Sequence, residues 1–240
     1  MILITGATSF VGRAVVLRLA AEHRQVRCLL RPSRREQRLA TGVLFSTVSA
    51  SMGDLPALRT AMQGVTAIVH LTEEEDLRDE RALRKHVAGT ANLIAAAQEA
   101  DVRRLIYVSR VGADQASAYP IFRATGEAET AVGASGLDTT ILQAPIVYGP
   151  EDVFANVLVM LAKAIPLVLP IPDPGLSRFQ PLWVVDLTTC ILATLDRDEF
   201  IGQTIALGGP EHFTFEQMVT QLLAAAGLRR RLMRVRMPLM

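Results

Sequence analysis

Short apolar runs alternate with longer stretches of helical periodicity along most of the chain. The short runs are rich in β-branched residues and predict buried strands, whereas the longer stretches repeat apolar residues every three or four positions. The predicted strands are 1–5, 25–30, 43–48, 67–71, 104–109 and 139–143, and the predicted helices are 11–22, 55–62, 81–100 and 121–134. This order predicts an α/β fold of the Rossmann type, a doubly wound parallel sheet with helices on both faces.

The alternation loosens after residue 150, where helices, proline-rich segments and a short strand follow one another. We expect a single domain over 1–240, in which about 147–180 and 208–240 form a small C-terminal lobe on the substrate side. The tail at 229–236 interleaves five arginines with apolar residues. This pattern favours a final edge strand with a solvated face over a phosphate site.

One apolar stretch, 155–172, invites a membrane interpretation. Lys163 interrupts it, and its three prolines would break any helix long enough to span a bilayer. We therefore predict no membrane span, and instead a short helix followed by an extended apolar lip at 165–172.

Composition and charge limit the kinds of partner that we expect the chain to bind. Half of the residues are hydrophobic, and 25 basic against 24 acidic side chains leave a formal charge of +1. This balance gives no net electrostatic reason to expect nucleic acid or an anionic membrane. Cys28 and Cys190 lie far apart in apolar segments, so we predict two buried, reduced thiols rather than a disulfide or metal pair. The N-terminus does not have the pattern of a signal peptide, and we expect a cytoplasmic protein without a metal site.

Candidate chemistry is concentrated in the opening stretch "LITGATSFVG". Gly6, Ser9 and Gly12 follow a strand and open a helix, as in loops that bind a dinucleotide diphosphate. Gly6 permits a tight turn, Gly12 permits close helix–strand packing, and the first helical N–H groups face an anion. Ser9 replaces the usual middle glycine and offers a hydroxyl donor. The predicted cofactor contacts in this loop are Gly6, Thr8, Ser9, Phe10, Val11 and Gly12.

The end of the second strand, "LLRPSRR", bears on the choice of cofactor. An acid is expected there when the adenosine ribose is free, and an arginine when the ribose carries a 2′-phosphate. Arg31 occupies this place, with Arg34 and Arg35 beyond it. We therefore predict an NAD(P)-binding domain that prefers NADP(H), with NAD(H) as the alternative.

The chain resembles the extended, atypical short-chain dehydrogenases/reductases, in particular the NmrA-like group and the NAD(P)H-binding accessory subunit of respiratory complex I. The resemblance is carried by "TGATSFVG", "GDL", "IVHL", "GTANLIAAA", "LIYVSRVGA", "SGLDTTIL", "IVYGP" and "QPLWVVDL", which follow one another in the family's order. It implies that Asp54 and Leu55 line the adenine, that Leu71 and Thr72 lie at the ribose and nicotinamide, and that Ser109 marks the catalytic edge. Arg13 is a further candidate for phosphate.

Departures from the family pattern concern catalysis. Members use a tyrosine as acid/base and a lysine four residues later, and alignment through "TGEAE" places Ile121 and Thr125 at these positions. A shift of two residues would instead pair Tyr119 with Arg123 at the same spacing. Gln143 stands where relatives commonly carry an arginine. Ser109 and Tyr119 are therefore the candidate catalytic residues.

Three functions remain open on this pattern. The first is an NADP(H)-binding protein that has lost the catalytic pair and acts as a sensor or assembly partner. The second is an NADPH-dependent oxidoreductase or epimerase acting on a small carbonyl or quinone-like substrate. The third is a structural subunit without a nucleotide. A protein partner and a small-molecule substrate are both compatible with the chain, and many family members continue with further helices, so the substrate-side lobe is expected to be short or incomplete.

Overall fold

The computed structural model describes residues 1–32, 39–72, 79–165, 167–172 and 177–235. Its strands are β1 (Ile2–Thr5), β2 (Val26–Leu30), β3 (Ser46–Ser49), β4 (Ala67–Leu71), β5 (Arg104–Arg110), β6 (Asp138–Ala144), β7 (Val147–Tyr148), β8 (Val168–Pro172), β9 (Arg178–Phe179), β10 (Leu182–Trp183), β11 (Gln203–Ala206), β12 (Phe213–Thr214) and β13 (Arg231–Val235). Its helices are α1 (Phe10–Ala21), α2 (Leu55–Ala61), α3 (Glu80–Glu99), α4 (Pro120–Gly133), α5 (Val153–Ala164), α6 (Val184–Asp196) and α7 (Phe215–Ala225).

The chain divides into two compact units. The first comprises Met1–Ala144 and Val185–Leu207, and the second comprises Pro145–Val184 and Gly208–Met240. The first unit holds a seven-stranded sheet of order β11-β6-β5-β4-β1-β2-β3, and every pair of neighbours in it is parallel. The predicted Rossmann-type α/β fold is thereby confirmed.

The central strands of this parallel sheet are largely apolar, as expected for strands that are covered on both faces. β1 is buried at every residue and β5 at every residue except Arg110, and Leu3, Leu105 and Tyr107 are fully enclosed. One charged side chain also lies in this core: Arg104 donates to Thr194 O, Asp138 O and Thr140 Oγ1. Burial lowers the pKa of this guanidinium, and its hydrogen bonds join β5, β6 and α6.

The second unit is built from three two-stranded pairs and two helices. β7 pairs with β10, β9 with β12, and β8 with β13. Its core cluster consists of Ala162, Leu169, Ile171, Val219 and Leu223. The basic tail forms β13 as predicted, parallel to β8.

Two predictions of detail are wrong. The third strand begins at Ser46 rather than at residue 43, because Val43 and Leu44 lie outside the ladder and Leu44 is 93% exposed. Cys190 is partly exposed rather than buried, whereas Cys28 is buried. Both thiols are free, and burial raises the pKa of Cys28 to about 12. Arg34 and Arg35, which follow Arg31 in the sequence, lie outside the described residues.

Candidate dinucleotide site

The turn between β1 and α1 depends on two glycines. Gly6 has a φ of 67°, a left-handed conformation that a residue without Cβ adopts freely. A Cβ atom on Gly12 would lie 2.0 Å from the carbonyl oxygen of Gly6 and 2.8 Å from Cα of Ala7. The helix therefore starts in direct contact with the end of the strand, as the sequence predicts.

Ser9 acts inside this turn. Its hydroxyl donates to Gly6 O at 2.8 Å and accepts from Gly12 N at 3.0 Å, so it is the N-cap of α1. The hydroxyl proton that the sequence offers to a diphosphate is thus directed to the loop backbone. Ser9 contributes to the site by fixing the orientation of the helix start.

The first amides of α1 are the candidate anion-binding element of the loop. The N–H groups at a helix start have no intrahelical acceptor, and Ser9 satisfies only that of Gly12. The amides of Phe10 and Val11 make no hydrogen bond to any other described residue. Arg13 donates to Thr8 O at 2.6 Å and so ties the helix to the loop. This geometry suits a diphosphate at the positive end of the helix dipole.

Thr72 gives an independent indication of a binding position. Its hydroxyl oxygen is buried, and in the structure described here it has no hydrogen-bond partner. An unpartnered buried hydroxyl costs about 1–3 kcal/mol, so it points to a group that is to be bound there. Thr72 directly follows Leu71, the buried last residue of β4, at the edge where the family places the cofactor ribose.

A buried polar network connects the end of β4 with the glycine turn. The Thr90 hydroxyl donates to His86 O at 3.0 Å, so it accepts from Nε2–H of His70, also at 3.0 Å. Nδ1 of His70 then accepts from the Thr5 hydroxyl at 2.6 Å, and Thr5 Oγ1 accepts from Leu71 N. Thr5 directly precedes Gly6, so the network fixes both strand ends that flank the site.

This network is an aromatic stack as well as a hydrogen-bonded chain. The rings of His70 and Tyr107 lie 5.2 Å apart, and His86 Nε2 and the Tyr107 hydroxyl are 3.0 Å apart. Burial, together with the nearby charges of His86 and Arg31, lowers the pKa of His70 to about 3. The sequence predicts His70 at a buried strand end but does not reveal its partners.

Acid stability should depend on His70. Between its unfolded pKa of about 6.5 and its folded pKa of about 3, only the unfolded chain binds the proton, so stability falls as the pH falls through this window. We expect a loss of ~2 kcal/mol between pH 7 and pH 5 from this group. In urea unfolding, the free energy of unfolding of His70→Asn should depend less on pH than that of the unsubstituted chain, whereas the exposed control His23→Asn should keep the full pH dependence. A full pH dependence in His70→Asn would contradict the assignment.

Arg31 follows β2, and its charge acts on His70. It is half-buried and makes contacts of its own. The predicted adenine residues lie at the start of α2, where the carboxylate of Asp54 accepts from Ala57 N at 3.0 Å as the N-cap and Leu55 begins the helix. Asp54 therefore orients α2 in this structure.

The carboxyl ends of β5 and β6 carry a cluster that the sequence does not predict. The Ser109 hydroxyl donates to Glu129 Oε1, and Gln143 Nε2 donates to both oxygens of the same carboxylate at 3.0 Å. Glu129 lies on α4, four residues after Thr125 and eight after Ile121, which places all three on one face. This spacing is the only sequence signal for Glu129.

Tyr119 occupies a different environment. It is the N-cap residue of α4, its side chain is 69% exposed, and its ring meets Phe122 edge-on. The Arg123 guanidinium donates to Ser117 O at 3.4 Å. Among the described residues no hydrogen bond joins Arg123 to the Tyr119 hydroxyl, so the phenol is not held as the Tyr119/Arg123 pairing requires. Its catalytic role stays a prediction.

Comparisons with known proteins agree with this geometry. A family model described as NAD(P)H-binding matches residues 6–157. The Arabidopsis thaliana protein "NADH dehydrogenase [ubiquinone] 1 alpha subcomplex subunit 9, mitochondrial" is 31% identical over 222 residues, which cover 89% of this chain and 54% of that protein. The chain thus spans about half the length of this relative.

The chain is also similar to a bacterial enzyme and to a solved structure. The "(4-alkanoyl-5-oxo-2,5-dihydrofuran-3-yl)methyl phosphate reductase" of Streptomyces griseus is 30% identical over 235 residues, covering 95% of this chain and 74% of the enzyme. The solved structure of MoeE5 in complex with UDP-glucuronic acid and NAD superposes with a TM-score of 0.81 over 98% of this chain and 85% of that one, at 20% identity. The second similarity supports the fold alone.

Proposed function

Because the chain belongs to the NAD(P)H-binding family of atypical short-chain dehydrogenases/reductases, we propose that it binds NADP(H) and has lost the family's catalytic pair. In this proposal the protein is a sensor or an assembly partner. The cofactor contacts are those predicted from the sequence, with Arg31 on the 2′-phosphate. The free thiols of Cys28 and Cys190 fit the cytoplasmic location that we propose with it.

The observation that carries the loss of catalysis is the composition of the α4 face. Ile121 has no titratable group, and the Thr125 hydroxyl donates to Ile121 O at 2.8 Å within the helix. Neither side chain can replace a phenol whose pKa is lowered by a neighbouring ammonium. The diphosphate loop is formed independently of this face, so binding survives without turnover. The plant relative, which is named as a subunit, supports an assembly role.

A second candidate function is an NADPH-dependent oxidoreductase or epimerase acting on a small carbonyl or quinone-like substrate. The contact between Ser109 and the Glu129 carboxylate favours it, since a hydroxyl held by a base can relay a proton. The Streptomyces relative is named a reductase. Ser109, or the exposed Tyr119, would supply the proton in this case.

Nicotinamide absorbance separates the first candidate from the oxidoreductase form of the second, since an epimerase returns the hydride and consumes no NADPH. We expect no oxidation of NADPH above the enzyme-free rate when the protein is supplied with a panel of aldehydes, enones and quinones, because Ile121 and Thr125 replace the family's tyrosine and lysine. Turnover that Tyr119→Phe abolishes, with NADPH affinity unchanged, would replace the first candidate by the second. Turnover that survives Tyr119→Phe but is lost in Ser109→Ala would assign the proton to the Ser109 and Glu129 contact.

A further inference from the structure

Helix α5 is apolar on its core side and along one exposed stripe, and Asn156 and Lys163 form its polar side. One face packs into the core of the second unit through Leu158, Ala162 and Ile165. The opposite face is a solvent-exposed stripe of large apolar side chains, each between 37% and 60% exposed: Val153, Phe154, Val157, Met160 and Leu161. A contiguous exposed patch of large apolar side chains marks an interaction surface.

Leu167 is a further exposed apolar residue, two positions after the C-cap residue Ile165 of α5. It is 78% exposed and has a φ of 70°, a left-handed conformation that is unfavourable for leucine. Strain of this kind persists where the surrounding structure imposes it. Here Arg231 N donates to Leu167 O at 2.9 Å and fixes the turn. A large apolar side chain is thereby held in solvent next to the basic strand β13.

Cations surround the same end of α5. Lys163 lies in the last turn, and the Arg230 guanidinium donates to Ala162 O at 2.8 Å and Ile165 O at 3.1 Å. Arg229 and Arg231 are exposed beside it. These arginines line a groove of about 700 Å³ with Leu223, Leu228 and Leu232. The sequence has no carboxylate in 160–165, 167–171 or 227–233.

We propose that this surface, formed by the exposed stripe of α5, Leu167 and the cations Lys163, Arg229 and Arg231, docks on an anionic lipid bilayer. The acyl region accepts the apolar side chains, and the headgroup phosphates pair with the cations, as in helices that lie in the plane of a membrane interface. A second copy of the chain fits less well, because the exposed stripe of α5 carries no carboxylate to pair with these cations. No described helix is long and apolar enough to span a bilayer, so the attachment is peripheral. This inference does not depend on NADP(H) binding.

Co-sedimentation with vesicles tests the role of the cations in this proposed surface. The full chain should bind vesicles of phosphatidylglycerol and phosphatidylcholine at least tenfold more strongly than vesicles of phosphatidylcholine alone. Arg229→Gln/Arg231→Gln should lower binding at least tenfold. The matched control is Arg84→Gln/Arg103→Gln, which removes two exposed arginines of the first unit and should leave binding unchanged.

The substitution Leu167→Asn tests the role of the exposed apolar side chains in this proposed surface. Asparagine tolerates the left-handed backbone, so the variant keeps the turn and loses only the exposed apolar group. We expect severalfold weaker vesicle binding, with no change for the control Leu44→Asn, which removes an exposed leucine of the first unit. Circular dichroism confirms that each variant is folded.

Three results would overturn the proposal: no binding of the folded chain to phosphatidylglycerol vesicles, equal loss in the arginine control, or equal binding to both vesicle compositions. Sedimentation velocity adds a fourth. If the chain does not bind vesicles but forms a dimer, and Leu167→Asn dissociates that dimer, the surface is assigned to a second copy of the chain.

Discussion

Gly12→Ala is expected to abolish dinucleotide binding. The new methyl group would lie 2.0 Å from Gly6 O and 2.8 Å from Cα of Ala7, both backbone atoms that cannot rotate away. Either α1 withdraws from β1 or the turn changes its path, and both movements displace the amides of Phe10 and Val11 from the position of the diphosphate. We expect NADPH affinity to fall at least 100-fold, with a loss of stability of about 1–3 kcal/mol from the overpacked contact.

The control for this substitution is Gly133→Ala in α4. A Cβ atom there meets no atom within 4 Å, and alanine is a better helix former than glycine by roughly 1 kcal/mol. Gly133→Ala should therefore retain full NADPH affinity and unfold at the same or a higher temperature. Calorimetric titration and thermal unfolding of both variants measure the difference. Normal NADPH binding by a folded Gly12→Ala protein would show that the loop is not the diphosphate site.

Arg31→Glu should weaken NADPH far more than NADH. A guanidinium forms charge-assisted bonds with a 2′-phosphate worth about 1.5–3 kcal/mol, and a carboxylate in its place adds repulsion, so we expect a loss of roughly 100-fold for NADPH. NADH carries no phosphate there and should lose less than about threefold, since its ribose hydroxyls pair well with an acid. The affinity ratio of the two cofactors is the measured quantity.

Arg103→Glu serves as the control for this charge reversal, because its side chain is highly exposed on the first unit. It should change neither affinity by more than about twofold, since exposed charges beyond a Debye length are largely screened. An equal loss of both cofactors in Arg31→Glu would place Arg31 in the architecture of the site rather than on the 2′-phosphate.

The sheet and the glycine turn were predictable because their signals are local. Each central strand is largely apolar, and Gly6 and Gly12 stand in a fixed relation to the strand before them. Contacts between side chains that are distant in the sequence have no such local signal. The Ser109, Glu129 and Gln143 cluster joins residues 14 and 20 positions apart, and only the packing of α4 on β5 and β6 brings them together.

Surface features escape sequence patterns for a related reason. Periodicity shows that α5 is apolar, but it does not tell which face is covered, so the exposed stripe becomes visible only in the fold. The formal charge of +1 likewise averages over the chain and conceals the cations gathered beside Leu167. Cys190 was expected to be buried for the same reason: an apolar segment can still expose one side of a helix.

Calorimetric titration of the purified chain with NADPH and NADH, in one low-salt buffer, tests the central claim most directly. We expect saturable binding of both, with one molecule per chain and NADPH bound at least tenfold more tightly, because the proposal places the diphosphate on the loop and the 2′-phosphate on Arg31. No heat with either cofactor, from protein shown to be folded, would contradict the claim that this turn is a working dinucleotide site.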